Sequence, residues 1–190
     1  MELYKIDNHG FVKNAVQITS PNHDSRVNSS DDLAKVISLI VIHSISLPPR
    51  QYGGNGIIQL FTNALNPDEH SYYTEIYTHK VSSHFLIRRD GALIQFVSCL
   101  QRAWHAGVSN WQGRERCNDF SVGIELEGSD FDAFEFAQYS TLNQLIHAIK
   151  LSYPIEAVVG HSDIAPGRKT DPGPYFDWLK INSNKKSHNQ

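Results

Sequence analysis

Apolar and polar positions in the chain fall into a few recognisable patterns. Residues 35–43, KVISLIVIH, make an unbroken β-branched and aliphatic run, which predicts a strand buried on both faces and ending at His43, before the helix-excluding SLPP. IEAVVGH is a second such run and ends the same way at His161. HFLIRRDGALIQFV alternates on both sides of Asp90-Gly91, a dipeptide that predicts a hairpin with a type I′ turn. In SVGIELEG, Val122, Ile124 and Leu126 point one way while Gly123, Glu125 and Glu127 point the other. Phe136, Tyr139, Leu142, Leu145, Ile146 and Ile149 recur at helical spacing and predict a long helix over 134–153, stopped by Pro154. IIQLFTNAL predicts a shorter helix, and YFDWLKI a final one opened by Pro174. Strands interspersed with helices predict an α/β fold: a single domain with a mixed central β-sheet flanked by helices.

Composition narrows this picture. The chain has 190 residues, 40% hydrophobic and 19% charged, which suits one soluble globular domain with a sizeable core. There is no repeat, low-complexity block or Gly/Ser/Pro-rich linker, so residues 1–180 are expected to form the domain and the polar residues 181–190 a loose tail. A formal charge of −3 gives no electrostatic reason to expect a nucleic-acid or anionic-membrane surface. The longest apolar run falls far short of the ~20 residues a membrane helix needs. The first residues, MELYKIDNHGFVKNA, lack the basic start, apolar run and cleavage site of a secretory signal, and only Cys99 and Cys117 are present. A cytoplasmic location is therefore expected.

Two buried strands each ending in a histidine matter chemically, because strand ends at one sheet edge are where α/β architectures place reactive groups. A catalytic zinc site takes three nitrogen, sulfur or carboxylate ligands and keeps one position open. His43 and His161 would supply two, and the third could come from Asp163 or Asp171. Asp163 stands so close to His161 that a capping role suits it, whereas Asp171 lies in a segment stiffened by Pro166, Pro172 and Pro174 that can fold back on a metal. Asp171 is the favoured third ligand.

Four segments in order, VIHSISLPPRQYGG, SSHFLIRRDGALIQFV, RAWHAGVSNWQGRERCNDFSVGIELEG and GHSDIAPGRKTDPGPYFDW, cover about residues 35 to 180. They resemble the zinc-dependent N-acetylmuramoyl-L-alanine amidases of the peptidoglycan-recognition-protein fold, and within that group the cytoplasmic enzymes of peptidoglycan recycling that act on 1,6-anhydro-muropeptides. The resemblance implies Zn2+ held by His43, His161 and Asp171, with Glu125 as catalytic general base and Lys169 as catalytic cation for the oxyanion. Glu127, on the same strand face, is the internal rival to Glu125, and Arg168 reads as a surface charge or substrate contact. Ser44 departs from the asparagine that usually follows the first zinc histidine.

The implied partner is a muropeptide, with no nucleic acid, membrane or protein partner. Trp104, Trp111 and Tyr52 are candidate faces for its sugar. Arg116, Arg114 and Arg102 could pair with its carboxylates. Of these, Trp104, Arg116 and Tyr52 form the candidate substrate-binding set, while His84 and His105 are read as structural or as supports behind the metal. Two other functions share the fold: a module that binds peptidoglycan without cutting it, which has no need of an open zinc, and a lytic amidase acting on intact wall.

Overall fold

In the computed structural model, which describes residues 4–26 and 36–181, the elements are ten strands and four α-helices in one α/β domain. The strands are β1 (Val16–Gln17), β2 (His23–Ser25), β3 (Leu39–Ile45), β4 (Phe85–Ile87), β5 (Leu93–Gln95), β6 (Gln101–Ala103), β7 (Asn110–Trp111), β8 (Arg114–Glu115), β9 (Ser121–Glu127) and β10 (Ala157–Gly160). The helices are α1 (Gly56–Phe61), α2 (Tyr73–Ile76), α3 (Phe136–Ser152) and α4 (His161–Ile164).

Six strands form the main sheet in the order β1-β5-β4-β9-β3-β10. Only the β4–β5 pair is antiparallel, so the sheet is mixed. Its longest pairing is between β3 and β9, in register from Leu39 opposite Ser121 to Ile45 opposite Glu127. Alternation sorts their side chains. Ile40, Ile42, Val122, Ile124 and Leu126 pack with Tyr139, Leu142, Leu145, Ile146 and Ile149 of α3 in one core. Leu39 and Val41 face the other way, against Ala106, Cys117, Phe120, Val159 and Ile164. His43 continues that second face, and Glu125 lies beside it in register. The site is thus built on the side of the sheet that α3 leaves free.

α3 starts where Glu135 N–H donates to Gln138 Oε1 at 3.0 Å and Gln138 N–H donates back to the Glu135 carbonyl at 3.0 Å. Phe136, expected on the apolar stripe, is 85% exposed, because the stripe begins only at Gln138 and Tyr139. At the start of β9, the buried Arg26 donates to the carbonyls of Cys99, Asn118, Asp119 and Ser121 at 2.8–3.2 Å. Burial lowers its pKa to about 10, opposed in part by the Asp119 charge, and those four oxygens satisfy the donors of the buried guanidinium.

Several boundaries differ from the sequence pattern for local reasons. β3 runs past His43 to Ile45, and β10 stops at Gly160, so His161 opens a turn of helix instead of ending a strand. The hairpin between β4 and β5 has no type I′ turn: Gly91 N–H bonds to Arg88 O at 2.9 Å, and of the dipeptide only Gly91 has positive φ. That is the pattern of a longer loop with a glycine bulge, which needs one left-handed residue where I′ needs two. IIQLFTNAL is helical only to Phe61, ended by Asn63 at φ 59. YFDWLKI holds no α-helix, only a 3-10 turn at Trp178–Lys180. The Phe176 and Trp178 rings pack together at 4.8 Å, and residues two apart cannot share a face of an α-helix. Ile181 is 5% exposed in the core, so packing extends one residue beyond the expected boundary; the rest of the expected tail lies outside the described residues.

Candidate metal centre and cleft

His43 reaches the site from β3 and His161 from the first residue of α4. Asp163 accepts the Gly160 N–H at 2.7 Å, capping the turn that carries His161. The chain then returns: Ser162 N–H donates to Asp171 O at 2.9 Å, and a Cβ on Gly160 would stand 2.8 Å from Pro172 Cδ. Glycine at 160 is what allows the Asp171 segment to lie against the end of β10.

Three ligand atoms converge there. His43 Nδ1 lies 3.0 Å from His161 Nδ1 and 3.0 Å from Asp171 Oδ2, and His161 Nδ1 lies 3.1 Å from the same oxygen. The two histidines are 2% and 3% exposed. His161 Nε2 faces the Ala106 carbonyl at 3.0 Å; since a carbonyl only accepts, the imidazole proton sits on Nε2 and Nδ1 offers a lone pair. Burial pushes the Asp171 carboxyl upward, but its contacts with the two histidines lower it by more, below the ordinary carboxylate range. Burial keeps the His43 imidazole below the usual histidine value in spite of Asp171. A buried lone pair, a carboxylate and a second imidazole about 3 Å apart repel unless a cation lies between them. Two nitrogens and one oxygen are a donor set that suits a divalent metal such as zinc.

The metal set opens into a cleft of about 360 Å³, lined by Ser44, Leu60, Phe61, Tyr72, Ile76, Trp104, Glu125 and Lys169 among others. Glu125 is 8% exposed, and its Oε2 has no hydrogen-bond partner among the described residues. Burial, reinforced by the Asp171 charge and opposed by Lys169, raises its carboxyl well above the ordinary glutamate value. Glu127 shares the strand face but is already engaged. It accepts from Gly53 N–H at 2.7 Å, Arg88 Nη1 at 2.9 Å and Arg89 N–H at 3.2 Å, and it does not line the cleft. Lys169, from the loop that carries Asp171, is exposed and lines the cleft with Glu125.

Of the candidate substrate contacts, only Trp104 lines this cleft. The Tyr52 hydroxyl donates to Asp132 at 2.7 Å, and its ring lies under Arg89. Arg116 pairs with Asp119 at 3.3 Å and borders a separate hollow with Val108, Pro166 and Arg168. Arg102 is fixed by Asp24 and Asp119, Arg114 lies over Phe120, and Trp111 packs at the edge of the core. Leu60, Phe61, Tyr72 and Ile76, which wall the cleft, were not legible in the sequence as functional. Their helical spacing marks them as apolar, and only the docking of α1 and α2 beside the site gives them a second use.

The family Amidase_2, N-acetylmuramoyl-L-alanine amidase, matches residues 33–174. The chain is 51% identical over 180 residues to the 1,6-anhydro-N-acetylmuramyl-L-alanine amidase AmpD of Haemophilus influenzae, covering 93% of this chain and 95% of that protein. The crystal structure of a Se-Met AmpD derivative superimposes with a TM-score of 0.87 at 49% identity, covering 93% of this chain and 96% of the other. AMPDH3 from Pseudomonas aeruginosa, crystallised in complex with anhydromuramic pentapeptide, is 30% identical with a TM-score of 0.57, covering 81% of this chain and 62% of its own. With this sheet, this convergent donor set and these relatives, the chain belongs to the N-acetylmuramoyl-L-alanine amidase family.

Proposed function

We propose that the chain hydrolyses the amide between the lactyl group of 1,6-anhydro-N-acetylmuramic acid and L-alanine in recycled muropeptides, with Zn2+ held by His43, His161 and Asp171. The supporting observation is that the three donors, Glu125 and Lys169 meet in one cleft. Bound there, zinc would supply Lewis acidity toward the amide carbonyl and toward a water. Glu125, unpartnered and raised in pKa, takes the proton of the attacking water and returns it to the departing nitrogen. Lys169 places a positive charge where the carbonyl oxygen becomes negative. Trp104 offers a ring to the substrate, and the apolar wall of Leu60, Phe61 and Ile76 excludes water.

The reading places the reaction in the cytoplasm on soluble fragments. Cys99 and Cys117 are both buried free thiols, as a reducing compartment allows, and no described helix is long and apolar enough to cross a membrane. The test is a side-by-side incubation with an anhydromuramoyl tripeptide and with intact wall, products identified by mass, with and without chelator. Rapid release of free peptide from the soluble substrate, lost on chelation and restored by zinc, is expected. Faster release from intact wall would replace this reading with a lytic one, and binding without cleavage would replace it with a recognition module.

A further inference from the structure

The segment His105-Ala106 touches the outer nitrogen of both metal histidines. His105 Nδ1 lies 2.9 Å from His43 Nε2, and the next residue gives its carbonyl to His161 Nε2 at 3.0 Å. One side chain anchors both positions, since Asn118 Oδ1 accepts the His105 N–H at 3.2 Å and the Ala106 N–H at 2.8 Å. The strand beneath is shaped to receive the ring: a Cβ on Gly123 would fall 2.5 Å from His105 Cγ, so the imidazole occupies the notch that glycine leaves in β9.

The direction of each proton follows. Ser121 Oγ lies 2.6 Å from the Cys117 carbonyl, which can only accept, so the serine hydrogen is committed there. His105 Nε2, 3.1 Å from the same Oγ, must then donate to it. With the single proton of a neutral imidazole on Nε2, His105 Nδ1 is left as the acceptor. That acceptor takes the Nε2 proton of His43 and leaves His43 Nδ1 with its lone pair toward His161 and Asp171.

We infer that His105 is a positioning residue of the metal centre, and that the chain Cys117 carbonyl, Ser121 hydroxyl, His105 imidazole fixes the tautomer through which His43 binds metal. This rests on the zinc reading of the proposed function. Ligating histidines held through their other nitrogen typically lose ~10–100-fold in metal affinity when the support is removed.

The experiment measures zinc affinity of the full chain by competition with a chromophoric chelator for wild type, His105→Leu, His105→Asn and His105→Gln. Asparagine puts an amide oxygen where Nδ1 stood and can still accept from His43, whereas glutamine reaches toward Ser121 instead. Leucine and glutamine should weaken zinc by ~10–100-fold, and asparagine should restore most of it. Should the leucine variant fail to fold, the asparagine and glutamine pair carries the comparison. Nitrogen-15 imidazole spectra, taken before and after zinc addition, should show the His43 proton on Nε2. Affinity unchanged in the glutamine variant, equal loss in the asparagine and glutamine variants, or a bare His43 Nε2 would overturn the assignment. If wild type itself binds no zinc, the metal reading fails, and the spectra of the metal-free protein still decide the His105 arrangement.

Discussion

Glu125→Gln should make the metal-free protein more stable at neutral pH while removing its catalysis. The carboxylate is 8% exposed, and one of its oxygens has no partner among the described residues. Leaving such a group unsatisfied costs about 1–3 kcal/mol, more when it is ionised. A carboxyl whose folded pKa is raised holds its proton more tightly in the folded state. Stability is then greatest at a pH where both states are protonated. It declines as pH rises from the unfolded value toward the raised folded one, and the full penalty is present above that. Glutamine does not titrate, so its advantage should be largest at pH 8 and shrink toward pH 5. At roughly 2–4 °C per kcal/mol for a domain of this size, thermal unfolding after chelation should shift up by roughly 2–12 °C at the upper pH. Zinc content should be kept and kcat should fall by about 10²–10⁴. A variant that is destabilised, or whose gain is the same at both pH values, would show that the Glu125 carboxylate is not a desolvated, poised base.

His161→Ala and Asp171→Asn should each lower bound zinc and activity together, measured by metal analysis and product assay on the same preparations; full activity with depleted metal would sink the ligand set. Lys169→Met should reduce kcat and kcat/KM by similar factors with KM little changed, since the charge it meets exists fully only in the transition state; a defect mainly in KM would reassign the lysine to substrate binding. Glu127→Ala leaves Arg88 partly buried without its partner, so urea unfolding should report a loss of about 3 kcal/mol or more with zinc affinity unchanged. Loss of metal without loss of stability in that variant would contradict the structural role of Glu127.

The layering was legible because it depends on local periodicity. VGIELEG alternates, so Glu125 had to leave the face that α3 covers, and the unbroken run before His43 marked a strand buried on both sides. Periodicity could not separate Glu125 from Glu127, since both point the same way. What separates them is what lies over each: an open cleft over one, and Gly53, Arg88 and Arg89 over the other, contributed by residues 38 to 74 positions away. Tyr52 and Arg116 carry suitable chemistry on paper, and only the fold shows them committed to Asp132 and Asp119. The helix expected over YFDWLKI failed for a related reason, because an aromatic cluster fixed by Phe134 and Tyr139 draws Phe176 and Trp178 into one place. The notch at Gly123 has no counterpart in a strand pattern, since nothing in the letters says which ring fills it.

His43 meets its two companions across 118 and 128 residues of chain, and no two of the three donors lie closer than ten residues apart. Contacts of that span form only after the loops between them have closed, so ion binding cannot seed early folding. The order of events runs the other way: β10 must dock beside β3, and the loop behind it must turn back, before the third donor arrives. Tight ion binding then acts on the whole unfolding equilibrium and not on one loop, raising the stability of every element that must separate before the donors part. A chelator would therefore lower the cooperative melting temperature of the domain, and hydrogen exchange would quicken as much in β3 and β9 as in the loop that carries Asp171.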